Sequence, residues 1–153
     1  MHFEIKQKEH TIDYYIRQVW HKTARLYNLQ ADKFGSTMSV GFVLLYVDKE
    51  GTPSTQLGPR MGMEPTSLSR LLKTMEQNNL IYRKPDDKDK RKSLIFLTPD
   101  GVKKRKIAKE VVLGFNEYIY KNIEHEKLQT FFEVIDQIDQ LIDQRRDEIN
   151  GNQ

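Results

Sequence analysis

The chain of 153 residues contains no cysteine. That absence excludes disulfides, thiolate metal sites and cysteine redox sensing, and it makes the cytoplasm the expected location. No apolar run approaches the roughly 18 residues of a membrane span, so no membrane partner is expected. Residues 1–15 mix acidic and basic side chains without an apolar centre, and no secretory signal is expected there. Catalytic patterns are missing as well. His2, His10, His21 and His125 have neither metal-ligand spacing nor an evident carboxylate partner. Gly51, Gly58 and Gly62 are not followed by the Gly-Lys-Ser/Thr of a phosphate loop. Asp136, Asp139 and Asp143 share a helix face, which a solvated acidic surface explains better than a metal site. The expectation is a protein that is not an enzyme, with no metal and no cofactor.

Charge is present in abundance, and it is unevenly spread. Residues 1–50 hold 7 Lys/Arg and 6 Asp/Glu, residues 51–106 hold 13 and 6, and residues 107–153 hold 5 and 10. A basic middle lies between a neutral start and an acidic end. Neutralising phosphates is the commonest reason for such a local excess. The densest part is the loop around Lys88, Lys90, Arg91 and Lys92, where Asp86, Asp87 and Asp89 are interspersed.

Hydrophobic spacing organises the rest. From residue 11 to about 29, Ile12, Tyr15, Ile16, Val19, Trp20, Thr23 and Leu26 recur at helical intervals. "ADKFGSTM" should break that helix. Ser39 can cap a second one running to about Lys49, with Gly51 ending it. "TPSTQLGPRMGMEP" fits one short helix and a turn, although Pro59 inside a helix costs about 3 kcal/mol. Pro65 opens a stronger helix to about Asn78, because its missing N–H has no helical partner in the first turn. Leu68, Leu71, Leu72 and Met75 form its apolar stripe. Thr66, Ser67, Ser69, Arg70, Lys73 and Thr74 occupy the remainder. Asn79 suits a left-handed helix end. "LIYRK" and "SLIFL" read as two strands joined by the charged loop. Thr98, Pro99 and Asp100 then start a helix to about Lys121. In the last helix Leu128, Phe131, Ile135, Ile138 and Ile142 alternate steps of three and four, and Ile149 resumes the series. That regularity suggests a partner helix. The final residues "NGNQ" look frayed.

The predicted order is mainly α with a small β-hairpin wing: a winged helix-turn-helix over residues 38–101, flanked by helices at 1–37 and 102–153. The stretch "LGPRMGMEPTSLSRLLKTMEQNNLIYRKPDDKDKRKSLIFLTPDG" resembles the MarR family of transcription regulators. Asp89 and Arg91 match its D-x-R pattern, Leu97, Thr98 and Gly101 its L-T-x-x-G. Leu80, Ile81 and Arg83 match the leucine-valine-x-arginine that follows its recognition helix. Asn79 stands where the family commonly has glycine, and members that sense oxidants use a cysteine this chain lacks.

The resemblance implies a sequence-specific regulator binding double-stranded DNA, a repressor released by a small molecule. The Pro65 helix would enter the major groove, with Thr66, Ser67, Ser69 and Arg70 reaching bases or phosphates and Lys73 and Thr74 meeting the backbone. Arg91 would enter the minor groove, Asp89 would hold Arg91 in place, and Lys88, Lys90 and Lys92 would bind phosphates. The flanking helices would form a homodimer on a palindromic site. A small aromatic effector could sit among Tyr14, Arg17, Trp20, His21 and Tyr46. The alternative is a winged-helix module for protein contact, or a regulator of another winged-helix family.

Overall fold

The computed structural model describes residues 11–90 and 92–151. Arg91, the tip cation expected in the minor groove, lies outside the described residues, as do residues 1–10, 152 and 153. Six helices and three short strands occur in the order α1 (Ile12–Asp32), α2 (Met38–Tyr46), β1 (Thr52–Pro53), α3 (Ser54–Met61), α4 (Pro65–Gln77), β2 (Ile81–Pro85), β3 (Ser93–Leu97), α5 (Pro99–Asn122) and α6 (His125–Gly151).

The chain divides into two compact units, residues 1–112 and 113–153. The first unit holds α1 to β3 and the first half of α5. Its core joins Val43, Leu44 and Val47 to Leu57, to Leu68, Leu72 and Met75 on α4, and to Leu80, Ile81 and Ile95. The apolar stripe expected on α4 is thus the face that α2, α3 and the sheet cover. The sheet is antiparallel, with β3 in the centre. Ile81 pairs with Leu97, Tyr82 with Phe96, Arg83 with Ile95 and Lys84 with Leu94. Alternation along the strands then turns Ile81 and Ile95 to the core and Tyr82, Lys84 and Phe96 to the outer face.

Several local expectations need correction. Thr37, not Ser39, caps α2: its side chain accepts from the Val40 N–H at 3.3 Å. That helix stops at Tyr46, because Val47 turns extended and buries completely. Helix α1 continues to Asp32, three residues past Leu29. The α2–α3 connection carries a strand that local patterning did not suggest, with Thr52 opposite Ile95. Pro59 does lie inside α3, two residues before its end. Gly62 then adopts φ 58°, and Met63 N–H closes the helix on the Gly58 carbonyl at 2.9 Å. The helix is short enough that Pro59 interrupts only its final turn. Asn79 adopts φ 55°, the left-handed end expected of it.

In the second unit, α6 runs through Asn150 to Gly151 without the expected fraying at those two positions. Leu128 is buried, and Phe131, Leu141, Ile142 and Ile149 are exposed.

Candidate nucleic-acid interface

At about 100° per residue, Leu68, Leu72 and Met75 mark one side of α4, and Thr66, Arg70 and Lys73 fall opposite within an arc of about 60°. All three of the latter are exposed. Gln77 lies in the same arc at the far end, a position that residue type alone did not single out. Ser67 and Thr74 flank one side and Ser69 the other. The Thr74 hydroxyl donates to the Arg70 carbonyl at 3.1 Å, an internal bond that leaves it only its lone pairs to offer. Ser69 lines an open cleft of about 530 Å³ with Ser54, Thr55 and Arg83.

The wing is fastened to the C-terminal end of α4 at two places. Arg83 Nε donates to Glu76 Oε2 at 3.2 Å. Thr98 makes the second attachment, donating its hydroxyl to the Asn79 carbonyl at 2.6 Å and its N–H to the Leu80 carbonyl at 3.1 Å. The same hydroxyl accepts the Gly101 N–H at 3.0 Å. Gly101 is buried, and a Cβ there would coincide with the Leu80 carbonyl oxygen. Leu97, Thr98 and Gly101 therefore form one junction at which β3 ends, α5 begins and the end of α4 is held.

The tip of the wing is a set of turns. Asp86 N–H donates to the Lys92 carbonyl at 3.0 Å and Lys92 N–H to the Asp89 carbonyl at 2.8 Å. The Asp86 carboxylate accepts the Lys88 N–H at 2.8 Å, so Asp86 shapes the turn. Lys88 and Lys90 extend from this frame as exposed cations, and Lys92 is also exposed.

Part of the basic excess in the middle of the chain serves the fold. Arg60 approaches Asp48 at 4.0 Å, and Lys103 pairs with Asp100 at 3.6 Å. Lys104 Nζ donates to the Phe34 carbonyl at 2.9 Å, and Arg105 donates to the Val47 carbonyl at 3.1 Å.

The five residues considered for an effector lie as follows. Trp20 and Tyr46 each stack on Phe42, at 6.5 and 6.0 Å between centroids. Tyr14 meets Tyr15 edge-on, and Arg17 pairs with Asp13 at 3.6 Å. The Asp13 carboxyl is held below its usual pKa, first by the Thr11 side chain and also by Arg17. His21 is exposed. None of the five lines the apolar cavity of about 50 Å³ between α1, α2 and α5, whose walls include Tyr27, Phe34, Met38, Phe42 and Lys104. Burial raises the Tyr27 phenol pKa above its usual value. No cluster of metal-binding side chains occurs among the described residues. No helix among them is long and apolar enough to cross a membrane.

Residues 43–93 match the model of the MarR family. The organic hydroperoxide resistance transcriptional regulator of Bacillus subtilis is 30% identical over 100 residues, which span 62% of this chain and 68% of that protein. The chain belongs to the MarR family. It is accordingly a transcription regulator and not an enzyme. Among solved MarR-family structures, MepR of S. aureus in complex with DNA superposes with a TM-score of 0.74 at 20% identity, covering 84% of this chain and 96% of MepR. PcaV of Streptomyces coelicolor, in complex with its natural ligand, superposes at 0.72 with 16% identity, covering 88% and 95%. At those identities the two likenesses speak for the MarR fold, and the winged helix-turn-helix with its flanking helices is that fold.

Proposed function

We propose that this MarR-family chain binds double-stranded DNA as a homodimer and represses transcription until a small molecule releases it. The observation that carries the reading is the exposed Thr66, Arg70 and Lys73 face of α4, with a basic wing fixed to the same helix through Glu76, Asn79 and Leu80. A helix of this width fits a major groove, and the wing tip then reaches the adjoining minor groove. Arg70 can pair with a guanine edge. Ser67, Ser69, Lys73 and Thr74 meet bases or phosphates nearby. Lys88, Lys90 and Lys92 neutralise phosphates beside Arg91, which Asp89 positions.

Residues 38–101 form the DNA-binding module in this reading, and residues 1–37 and 102–153 form the dimer. Support for the dimer comes from apolar side chains left in water: Ile12, Tyr15, Ile16, Val19 and Trp20 on α1, and Phe131, Ile142 and Ile149 on α6. Apolar surface on this scale marks a protein contact. Two copies would place two recognition helices in successive major grooves, roughly 10 base pairs apart, on an imperfect palindrome.

The effector is a small aromatic molecule, held near Tyr14, Arg17, Trp20, His21 and Tyr46. The neighbouring cavity is small for it: a cavity that takes benzene measures about 150 Å³, so a ring entering there must widen it. The B. subtilis relative is named for hydroperoxide resistance. With no cysteine, this chain cannot respond to peroxide through a thiol. The setting is the cytoplasm, where the DNA is.

The deciding experiment titrates the full chain with the palindromic duplex flanking its gene at several salt concentrations, while sedimentation reports its mass. A dimer with a steep salt slope and preference over a scrambled duplex is the expected result. A flat slope, or a monomer at micromolar concentration, would overturn the reading.

A further inference from the structure

The outer face of the wing carries an arrangement that neither the recognition helix nor the tip uses. Tyr82 and Phe96, paired across β2 and β3, stack at 5.4 Å with an interplanar angle of 15°. Lys84, two residues along β2 on the same face, places its Nζ 5.4 Å from the Tyr82 ring centroid and 5.6 Å from that of Phe96. The tip of the Phe96 ring lies against Gly51: a Cβ there would clash with the ring Cζ, with both Cε atoms at 2.8 Å. Gly51 also has φ 87°, which a side chain would strain. The Lys84 ammonium thus lies over a ring pair drawn from both wing strands, one ring of which packs on Gly51. Among the described residues Lys84 has no carboxylate partner, whereas Arg60, Arg83, Lys103 and Lys127 each have one.

A surface lysine is normally flexible, and ordering it opposes any contact it makes. Here two ring faces restrict the ammonium and leave its charge uncancelled. Its position along the hairpin matters as well. Lys84 precedes the start of the tip at Asp86 by two residues, or about 7 Å of extended strand. A B-form minor groove is about 7.5 Å deep. A tip inserted from Asp86 onward therefore leaves Lys84 outside the groove, on the side of the rim phosphates.

We propose that Lys84, held on the Tyr82–Phe96 ring pair, is a second phosphate-binding point of the wing, gripping the groove wall behind the tip. The inference rests on the DNA-binding reading above, and its test separates the two. Wild type, Lys84→Gln, Lys84→Arg and Tyr82→Leu are titrated with the cognate and a scrambled duplex across a salt series, with thermal unfolding as a check on folding. Lys84→Gln should lower affinity by the same factor on both duplexes and make the salt slope shallower by about 0.9, the loss of one phosphate contact. Lys84→Arg should restore the slope. Tyr82→Leu retains the charge but frees it, so the slope should stay and affinity should fall about two- to fivefold. If wild type itself shows no salt-dependent duplex binding, the DNA reading falls and this inference with it. If wild type binds steeply and Lys84→Gln keeps the full slope, this inference alone is overturned. Should Lys84→Gln lose slope while Tyr82→Leu binds like wild type, diffuse attraction explains the lysine and the ring-held grip is wrong.

Discussion

Arg83 on the first wing strand donates its Nε–H to Glu76, in the last turn of α4, at 3.2 Å. Seven residues separate them, and the left-handed Asn79 reverses the chain between them. Both side chains are more than a third exposed. A pair of this kind contributes about 0.2–1 kcal/mol. A double-mutant cycle with Glu76→Gln and Arg83→Gln, followed by urea unfolding, should return a coupling in that range that shrinks as salt is added. A coupling of zero at low salt would mean that the pair does not persist in solution.

The Thr98 junction gives a prediction with an internal control. Gly101→Ala forces a methyl group onto the Leu80 carbonyl and should destabilise the chain by about 1–3 kcal/mol, the usual cost of overpacking. Gly114, further along the same helix, has nothing within 4 Å of an added Cβ. Gly114→Ala should therefore stabilise by about 0.5–1 kcal/mol through helix propensity. Thermal unfolding of both variants checks the opposite signs. Equal effects would remove the steric account of Gly101.

Arg70 lies opposite the buried stripe of α4, where a groove would face it. Arg70→Ala should cost about 1–3 kcal/mol of specific binding and relax base preference, if its contact to guanine is bidentate. Selection from random duplexes is the measurement. A preference unchanged from wild type would reduce Arg70 to a backbone contact or a surface residue.

At the tip, two accounts of Asp89 predict opposite signs. Bulk electrostatics says that Asp89→Ala, which removes an acid beside DNA, binds more tightly. The positioning role says that it binds more weakly, nearly as weakly as Arg91→Ala. Arg91→Ala should also flatten the salt slope by about one. Tighter binding by Asp89→Ala would leave the loop as a diffuse attraction only.

What could be read from the sequence was the locally determined part. Pro65 starts its helix, Asn79 ends the turn after it, and Thr98 caps α5, each because its own backbone chemistry suits that conformation. The strand at Thr52 has no such local cause. It exists because Ile95, more than forty residues away, offers it a ladder. Val47 likewise leaves α2 because the core accepts it, which spacing within the helix did not indicate. On the candidate site, the exposed face of α4 with Thr66, Arg70 and Lys73 was legible because residue type and helical period agree there. The Lys84–Tyr82–Phe96 cluster was not, because it depends on the register that sets Tyr82 beside Phe96. Nor could composition separate the lysines and arginines facing outward from Lys104 and Arg105, which bond to loop carbonyls.

Those last two bonds have a mechanical consequence. Phe34 precedes α2 and Val47 follows it, so consecutive residues of α5 bracket one helix at both ends. Lys104 and Phe34 also form part of the cavity wall, whereas Val47 belongs to the core shared with α4. Helix α2 is thus splinted by α5 at both ends, one anchor lying in the cavity wall and the other in the core that α4 shares.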